Sequence, residues 1–332
     1  MKTTIKDIAK MAGVSTATVS KVVNHKDNNI SEATRQRILN LIEEYNYVPN
    51  RVASSMVTKK THSIGLVIPD ITNPFFPEIA RGVEDLANQH GYHVILCNSD
   101  NDLKKEVAYI AMLQEKMVDG IILTASAMRE GETLDLGRIH VPVITVDRDI
   151  KASKIKGKII VDNKSGAYEA VSYMLNKGYK RILHLAGPFT SGTSKERYEG
   201  YKLAHENFGL PIYEELFVEG FYTAEWGYEG IQRVLNEGID FDGVFCANDL
   251  IALGALKALK EKGVKVPDDI GIVGFDDIYM TTLIEPRLTT VHQPNYQMGY
   301  KAAQMLVDFI EEKVVKEKKI ILKTELIIRE SS

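Results

Sequence analysis

Hydrophobic positions recur at helical spacing from the start of the chain. Ile5, Ile8, Ala9 and Ala12 fall on one side of a first helix, and Gly13 supplies the backbone freedom that a helix end commonly needs. Ser15 is a good N-cap for a second helix, in which Val19, Val22 and Val23 point inward at i, i+3 and i+4. A third helix opens at Ser31 and carries Ile38, Leu41, Ile42 and Tyr45 on its apolar side. Three helices sharing one core suffice for a small domain. From residue 63 the pattern changes. Continuous apolar runs at 63–70, 92–98, 118–124, 141–147, 181–187, 243–247 and 270–275 read as buried strands, with helical patterns such as 77–91 between them. A last long helix is predicted over 298–313, and 320–328 ends the pattern as strand. The alternation predicts parallel sheets with helices on both faces, and the roughly 270 residues involved exceed one ordinary core, so two lobes are expected.

The first two helices with their tight turn have the geometry that places a helix in the major groove of DNA. With the valines turned inward, Thr16, Ala17, Ser20 and Lys21 occupy the outer face. Small and hydroxylated side chains allow close approach to base edges and thymine methyls, and Lys21 can reach a guanine or a phosphate. Charge sharpens the picture. The chain has 41 Lys and Arg against 45 Asp and Glu; ten of the bases and five of the acids fall in residues 1–60, leaving 31 and 40 beyond. A basic head on an acidic body is the footprint of a protein that touches phosphate with one end only. After the head, Asn50 can cap a helix of about two turns through residue 57, too short to be stable alone in water. Such a segment needs a partner to fold, or else it is a plain linker, which residues 58–61 resemble.

The run from Thr4 to Asn24, followed by Tyr47, Val48, Pro49 and Asn50, resembles the DNA-binding head of the LacI/GalR family of bacterial repressors. The resemblance implies that Thr16, Ala17 and Lys21 read bases, with Ser15, Thr18, Ser20, Asn24 and Thr34 near the DNA backbone. Lys21 replaces the commoner Arg, which removes the forked guanine contact that guanidinium offers. It also implies that the segment after Asn50 is a hinge helix that folds beside its dimer mate in the minor groove. Met56 stands there in place of a wedging Leu, and Ser54 in place of the usual Arg; a thioether side chain still provides an apolar wedge.

In open α/β sheets ligands sit beyond the carboxyl ends of the strands. The segments expected there are 73–76, 147–149, 162–163, 187–197, 247–249, 275–277 and 292–294. They mix aromatic faces with carboxylates, amides and guanidinium groups, a combination suited to a small polyhydroxylated ligand. Asp and Asn at strand ends are often only turn formers or caps, so the weight lies in their recurrence. This body resembles the periplasmic sugar-binding fold that the family carries as its sensor, and in detail its ribose-type members. The fold class is therefore an all-α helix-turn-helix head plus a two-lobed α/β body like periplasmic binding proteins, with parallel sheets and three crossovers near 160–164, 288–292 and 321–325. The resemblance implies that Phe75, Phe76 and Tyr222 sandwich the sugar, that Asp147, Arg148, Arg197, Asn248, Asp276 and Gln293 hydrogen-bond its hydroxyls, and that Asn73 assists. The expected domains are 1–48 for the head, 49–61 for the hinge helix and linker, 62–161 plus 291–322 for the first lobe, and 162–290 plus 323–332 for the second.

Other chemistry finds little support. Residues 187–195 superficially resemble a phosphate loop, but Lys195 stands two positions late; no Gly-x-Ser-x-Gly elbow or Gly-x-Gly-x-x-Gly run occurs at a first strand. The eight His are scattered without metal spacing, and no enzyme activity, cofactor or metal is expected. The start of the chain is a charged amphipathic helix, and no run approaches 18 apolar residues, so a cytoplasmic protein without membrane contact is expected. Cys97 and Cys246 read as buried free thiols. Expected partners are operator DNA, a second copy of the chain, and a small sugar. A sugar that weakens operator binding is the favoured regulation; a corepressor, as in purine-type members, or a protein partner is the alternative.

Overall fold

A computed structural model of the chain describes residues 3–23, 27–48, 60–127, 136, 139–150, 152 and 154–332. Asn24, Asn50, Met56 and the whole expected hinge helix lie outside the described residues. The chain forms two compact units, residues 1–61 and 62–332.

In the first unit, α1 (Ile5–Ala12), α2 (Thr16–Val23) and α3 (Glu32–Glu44) pack around Ile8, Ala9, Ala12, Val19, Val22 and Ile38. Their ends are fixed by local chemistry. Thr4 and Asp7 form a reciprocal capping box on α1, with the Thr4 N–H donating to Asp7 Oδ2 at 2.9 Å, and these bonds hold the Asp7 carboxyl below its ordinary value. Gly13 ends α1 with φ at 66°, a left-handed conformation that glycine adopts without steric cost. Ser15 Oγ accepts from the Thr18 N–H at 3.1 Å, and Ser31 caps α3 by accepting from Thr34. One core position differs from expectation. Tyr45 is 43% exposed and Tyr47, at 8%, completes the core instead. The helix stops at Glu44, Asn46 turns with φ at 45°, and the Tyr47 N–H bonds back to Ile42, so the ring two residues later swings inward.

The second unit holds two six-stranded sheets. In the first lie β1 (Ser63–Ile68), β2 (His93–Asn98), β3 (Gly120–Leu123), β4 (Val143–Val146) and β5 (Ile155–Val161), with α4 (Phe75–Gln89) and α5 (Leu103–Glu115) among the connections. The chain then crosses into the second sheet, running α6 (Asn163–Lys177), β6 (Ile182–Ala186), α7 (Gly192–Asn207), β7 (Phe217–Glu219), α8 (Ala224–Asn236), β8 (Gly243–Cys246), α9 (Asp249–Glu261), β9 (Gly271–Asp276) and β10 (Thr289–His292). It returns through α10 (Asn295–Ile310), which packs against α4, to β11 (Lys319–Leu322), and ends in β12 (Glu325–Ile327) of the second sheet. The strand orders are β11-β5-β4-β3-β1-β2 and β12-β10-β9-β8-β6-β7.

Three details correct the sequence-based expectation. The sheets are parallel except at the last strand, since β12 runs antiparallel to β10. Only two residues separate β11 from β12, far fewer than a parallel return within one sheet requires, and the chain changes sheets between them, at the crossover expected near 321–325. Second, β10 stays in register with β9 and β12 through His292, which moves the expected boundary at 291 to beyond that residue. Third, α4 and α10 start earlier than predicted, at Phe75 and Asn295, each directly after a proline that tolerates the missing donor at a helix start.

The second lobe's core buries an imidazole at its centre. His184 on β6 is fully buried between Phe245, at 4.9 Å between ring centres, and Tyr201, at 5.4 Å; its Nδ1 lies 3.0 Å from the Phe245 carbonyl and its Nε2 has no partner. Burial pushes the imidazole down to about 4. The unfolded chain binds this proton near the ordinary value of 6.5 and the folded chain does not, so the contribution to stability is present above that value and is lost as pH falls toward 4. His184→Phe is expected to remove about 2 kcal/mol of the stability lost between pH 7 and pH 5 in urea titrations. An unchanged pH slope would contradict this.

Candidate functional sites

On the head, Thr16, Ala17 and Lys21 are exposed on α2, while Thr18 and Ser20 are half-buried. Thr18, Lys21, Asn28, Asn29, Ile30, Ser31 and Thr34 line a polar groove of about 620 Å³ between α2 and the start of α3. The groove joins a cation, hydroxyls, amides and the positive end of a 13-residue helix, the chemistry that receives a phosphate. Asn28 and Asn29 were missed from sequence; their signal was a polar pair just before the Ser31 cap. Ser15, expected at DNA, spends its Oγ on the α2 cap and lies 2.9 Å from Thr18 Oγ1.

In the body, a cavity of about 840 Å³ opens between the carboxyl ends of the two sheets. Asn73, Phe75, Phe76, Asp147, Arg148, Arg197, Tyr222, Asn248 and Asp276 all line it. Gln293 does not. It is fully buried behind Asp276, and its Nε2 donates to Asp276 Oδ1 at 2.7 Å. Asp70, Thr72, Asp100, Asn101, Thr193 and Phe221 also line the cavity and were missed. Asp100 and Asn101 follow β2 with φ of 53° and 55°, and the signal for them was an Asp-Asn-Asp run past a strand.

Each lobe contributes an arginine beside an aspartate. Arg148 NH1 donates to the Ala125 carbonyl at 2.5 Å, its Nε lies 3.6 Å from Asp147 and has no hydrogen-bond partner, and its guanidinium stands over the Phe76 ring at 5.9 Å. Arg197 NH1 bonds the Ala247 carbonyl and lies 3.8 Å from Asp276, with the guanidinium 3.7 Å over the Phe275 ring. Phe75 and Phe76 meet edge to face at 5.1 Å, and the Tyr222 hydroxyl is 3.1 Å from Thr193 Oγ1. Asn73 Oδ1 accepts from the Phe75 N–H, and Asn248 Oδ1 caps α9, so each of these amides is oriented by a turn it also holds.

The carboxylates are electrostatically poised. Burial raises the Asp147 carboxyl, with Arg148 and Arg197 opposing. Burial pushes Asp276 up to about 7, opposed by Arg197 and reinforced by Asp147. Behind it Asp249, raised by burial and by Asp276, accepts from the Ile278 N–H and from Thr290 Oγ1. Asp147 has φ at 70° and Asp276 at 122°, strained conformations that persist only where surrounding structure holds them and that cluster at ligand sites. Among the described residues no cluster of His, Cys, Asp and Glu is placed to hold a metal ion, and no helix is long and apolar enough to cross a membrane.

A helix-turn-helix head on a two-lobed α/β receptor body defines a class of DNA-binding transcription regulators. Residues 4–50 match the model for bacterial regulatory proteins of the lacI family, and residues 61–330 match that for periplasmic binding proteins and the sugar-binding domain of the LacI family. The chain belongs to the LacI family. It is 38% identical to the ribose operon repressor of Halalkalibacterium halodurans, covering 99% of this chain and 97% of that one, and 39% identical to the transcriptional repressor PurR of Pasteurella multocida, covering 99% and 98%. The solved structure of the lac repressor dimer bound to operator and the anti-inducer ONPF aligns with a TM-score of 0.87 at 27% identity, over 100% of this chain and 99% of that one.

The unfolded chain releases the Asp276 proton near 3.8 and the folded chain only near 7, so stability is lost as pH rises between those values and the full cost is present above about pH 7. Asp276→Asn keeps the side-chain shape and is expected to raise the urea midpoint at pH 8, by about 1 kcal/mol or more in stability, while removing ligand binding. A midpoint at or below that of the unsubstituted chain would contradict the assignment.

Proposed function

We propose that the chain is a repressor controlled by a sugar: a pentose, ribose or a close relative, binds between the lobes and weakens the head's hold on operator DNA. The composition of the cleft carries the reading. Two arginines and the amides donate, carboxylates accept, and Phe75, Phe76 and Tyr222 offer flat faces, which is the set a ring rich in hydroxyls requires. Five aspartates against two arginines and one lysine line the cavity, an acidic balance that disfavours phosphorylated ligands. The likeness to the ribose operon repressor supports the ligand class.

In this reading Thr16, Ala17 and Lys21 read bases, and Ser15, Thr18, Ser20, Asn24 and Thr34 serve the backbone. One small head gives little affinity, so two copies on a pseudo-palindrome act together, as in the lac repressor dimer on its operator. The hinge from Asn50 through Met56 folds against its mate over the operator centre. Sugar-driven lobe closure alters the spacing of the two hinges.

In a thermal-shift screen, D-ribose at about 100 times its Kd is expected to raise the melting temperature by about 5 °C or more, and Arg148→Ala to abolish the shift. A shift with hypoxanthine and none with any pentose would overturn the sugar reading in favour of a corepressor; no shift with either would favour a protein partner. Met56→Ala is expected to weaken operator binding more than sugar binding. Equal loss of both would contradict the wedge.

A further inference from the structure

The geometry points to Asn163 as a positioning residue of the effector cleft, one that lies outside the cavity and sets the aim of Arg197. The inference rests on Arg197 being a ligand contact, as proposed above. Asn163 is the first residue of α6, immediately past the crossover from β5, and is only 2% exposed. Its Oδ1 accepts from Arg197 Nε at 3.0 Å, and its Nδ2 donates to Glu196 Oε2 at 3.0 Å. Both oxygen and nitrogen are thus committed, which fixes the orientation of the amide. Gly200 makes the reach possible. A Cβ there would come within 2.3 Å of the Lys164 carbonyl, so only glycine lets α7 approach the start of α6 this closely.

A guanidinium has five N–H donors in a rigid plane. Asn163 takes the Nε donor, the Ala247 carbonyl takes one from NH1, and the Phe275 ring covers one face at 3.7 Å. Three restraints from three parts of the chain hold the plane, with NH1 3.8 Å from Asp276 and the side chain lining the cavity. The first lobe uses the same device. There Arg148 NH1 meets the Ala125 carbonyl and, at 3.4 Å, Asn101 Oδ1, with Phe76 under the guanidinium and Asp147 beside it. Carbonyl, amide oxygen, aromatic face and carboxylate recur in two lobes that share no residue. A recurrence of that kind fits a requirement for an oriented guanidinium on each side of the ligand better than it fits local packing. Because Asn163 follows the crossover directly, Arg197 is referenced to the hinge between the lobes rather than to its own helix alone.

The test uses the full chain and D-ribose as probe. Asn163→Ala is expected to raise the Kd about tenfold or more, and Asn163→Asp, combined with Glu196→Gln so that an amide and not a carboxylate faces the new side chain, to recover most of that loss by keeping the acceptor for Arg197 Nε. In an Arg197→Lys background, Asn163→Ala should add less than about twofold, because the residue acts through the guanidinium. Equal fold losses in the two backgrounds, or failure of Asp to rescue, would overturn the inference and leave a packing role. A ligand-free measurement runs beside it. In chain labelled with 15N-arginine, the Arg197 Nε–H, assigned by its loss in Arg197→Lys, should exchange slowly with solvent and about tenfold or more faster in Asn163→Ala. Unchanged exchange would overturn the inference. A chain that ignores D-ribose would instead overturn the pentose reading, with the exchange result still deciding the role of Asn163.

Discussion

Two guanidinium groups and two carboxylates are buried where the strands of two parallel sheets end, and the rest of the body is arranged to tolerate them. Isolated charges in such a place cost several kcal/mol each, and mutual attraction offsets that only when the geometry is good and the remaining donors and acceptors are met. The fold meets them with backbone carbonyls at Ala125 and Ala247, amides at Asn101, Asn163 and Gln293, and rings at Phe76 and Phe275. What stays unmet is informative: Arg148 Nε lacks a hydrogen-bond partner, and Asp276 holds its proton to about 7. A site with strained, incompletely satisfied polar groups gains more from a ligand than a relaxed one does.

Much of this was legible in the sequence, for identifiable reasons. The head's helices follow from apolar spacing and from Gly13, Ser15 and Ser31, whose cap chemistry acts within a few residues. The strand–helix alternation is equally local, and nine of the ten expected cleft residues do line one cavity because strand ends in two such sheets converge. The failures have separate causes. Tyr47 replaced Tyr45 because one left-handed residue, Asn46, redirected the chain past the helix end. Gln293 fell behind Asp276 because β10 keeps its register to His292, which points the following residue into the interior. Asn101 and Asn163 were unreadable as partners of Arg148 and Arg197, since those pairs are 47 and 34 residues apart and meet only once the topology is known. The antiparallel last strand follows from a two-residue crossing between sheets, which periodicity does not report.

The proposed switch asks little of the body in energy. A coupling of about 1–3 kcal/mol between sugar and DNA is the usual scale, small beside what a domain's core contributes and within reach of a few hydrogen bonds that differ between two lobe arrangements. The crossovers are the natural place for that difference. Asp162 and Asn163, His292, and the two residues between β11 and β12 stand together at the passage between lobes, and Asp277 and Arg197 are tied to them by side chains. Arg329 joins the same set, donating to Asp277 Oδ1 at 2.6 Å, while the Asp277 Oδ2 lies 3.0 Å from His292 Nδ1. One ligand contact, Arg197, is thus bonded directly to a crossover residue, and a second polar cluster at the crossover begins at Asp277, the neighbour of Asp276 in the chain.

Coupling free energies are reciprocal, so the linkage between sugar and DNA is tested most directly from the sugar's side. D-ribose would be titrated calorimetrically into the full chain, alone and saturated with an operator selected by the chain from random duplex DNA. The expected result is a Kd about 5- to 150-fold weaker on the operator complex, with operator affinity reduced by the same factor in saturating ribose. Equal affinity for the free and DNA-bound chain would contradict the switch, and tighter binding on DNA would reverse its sign.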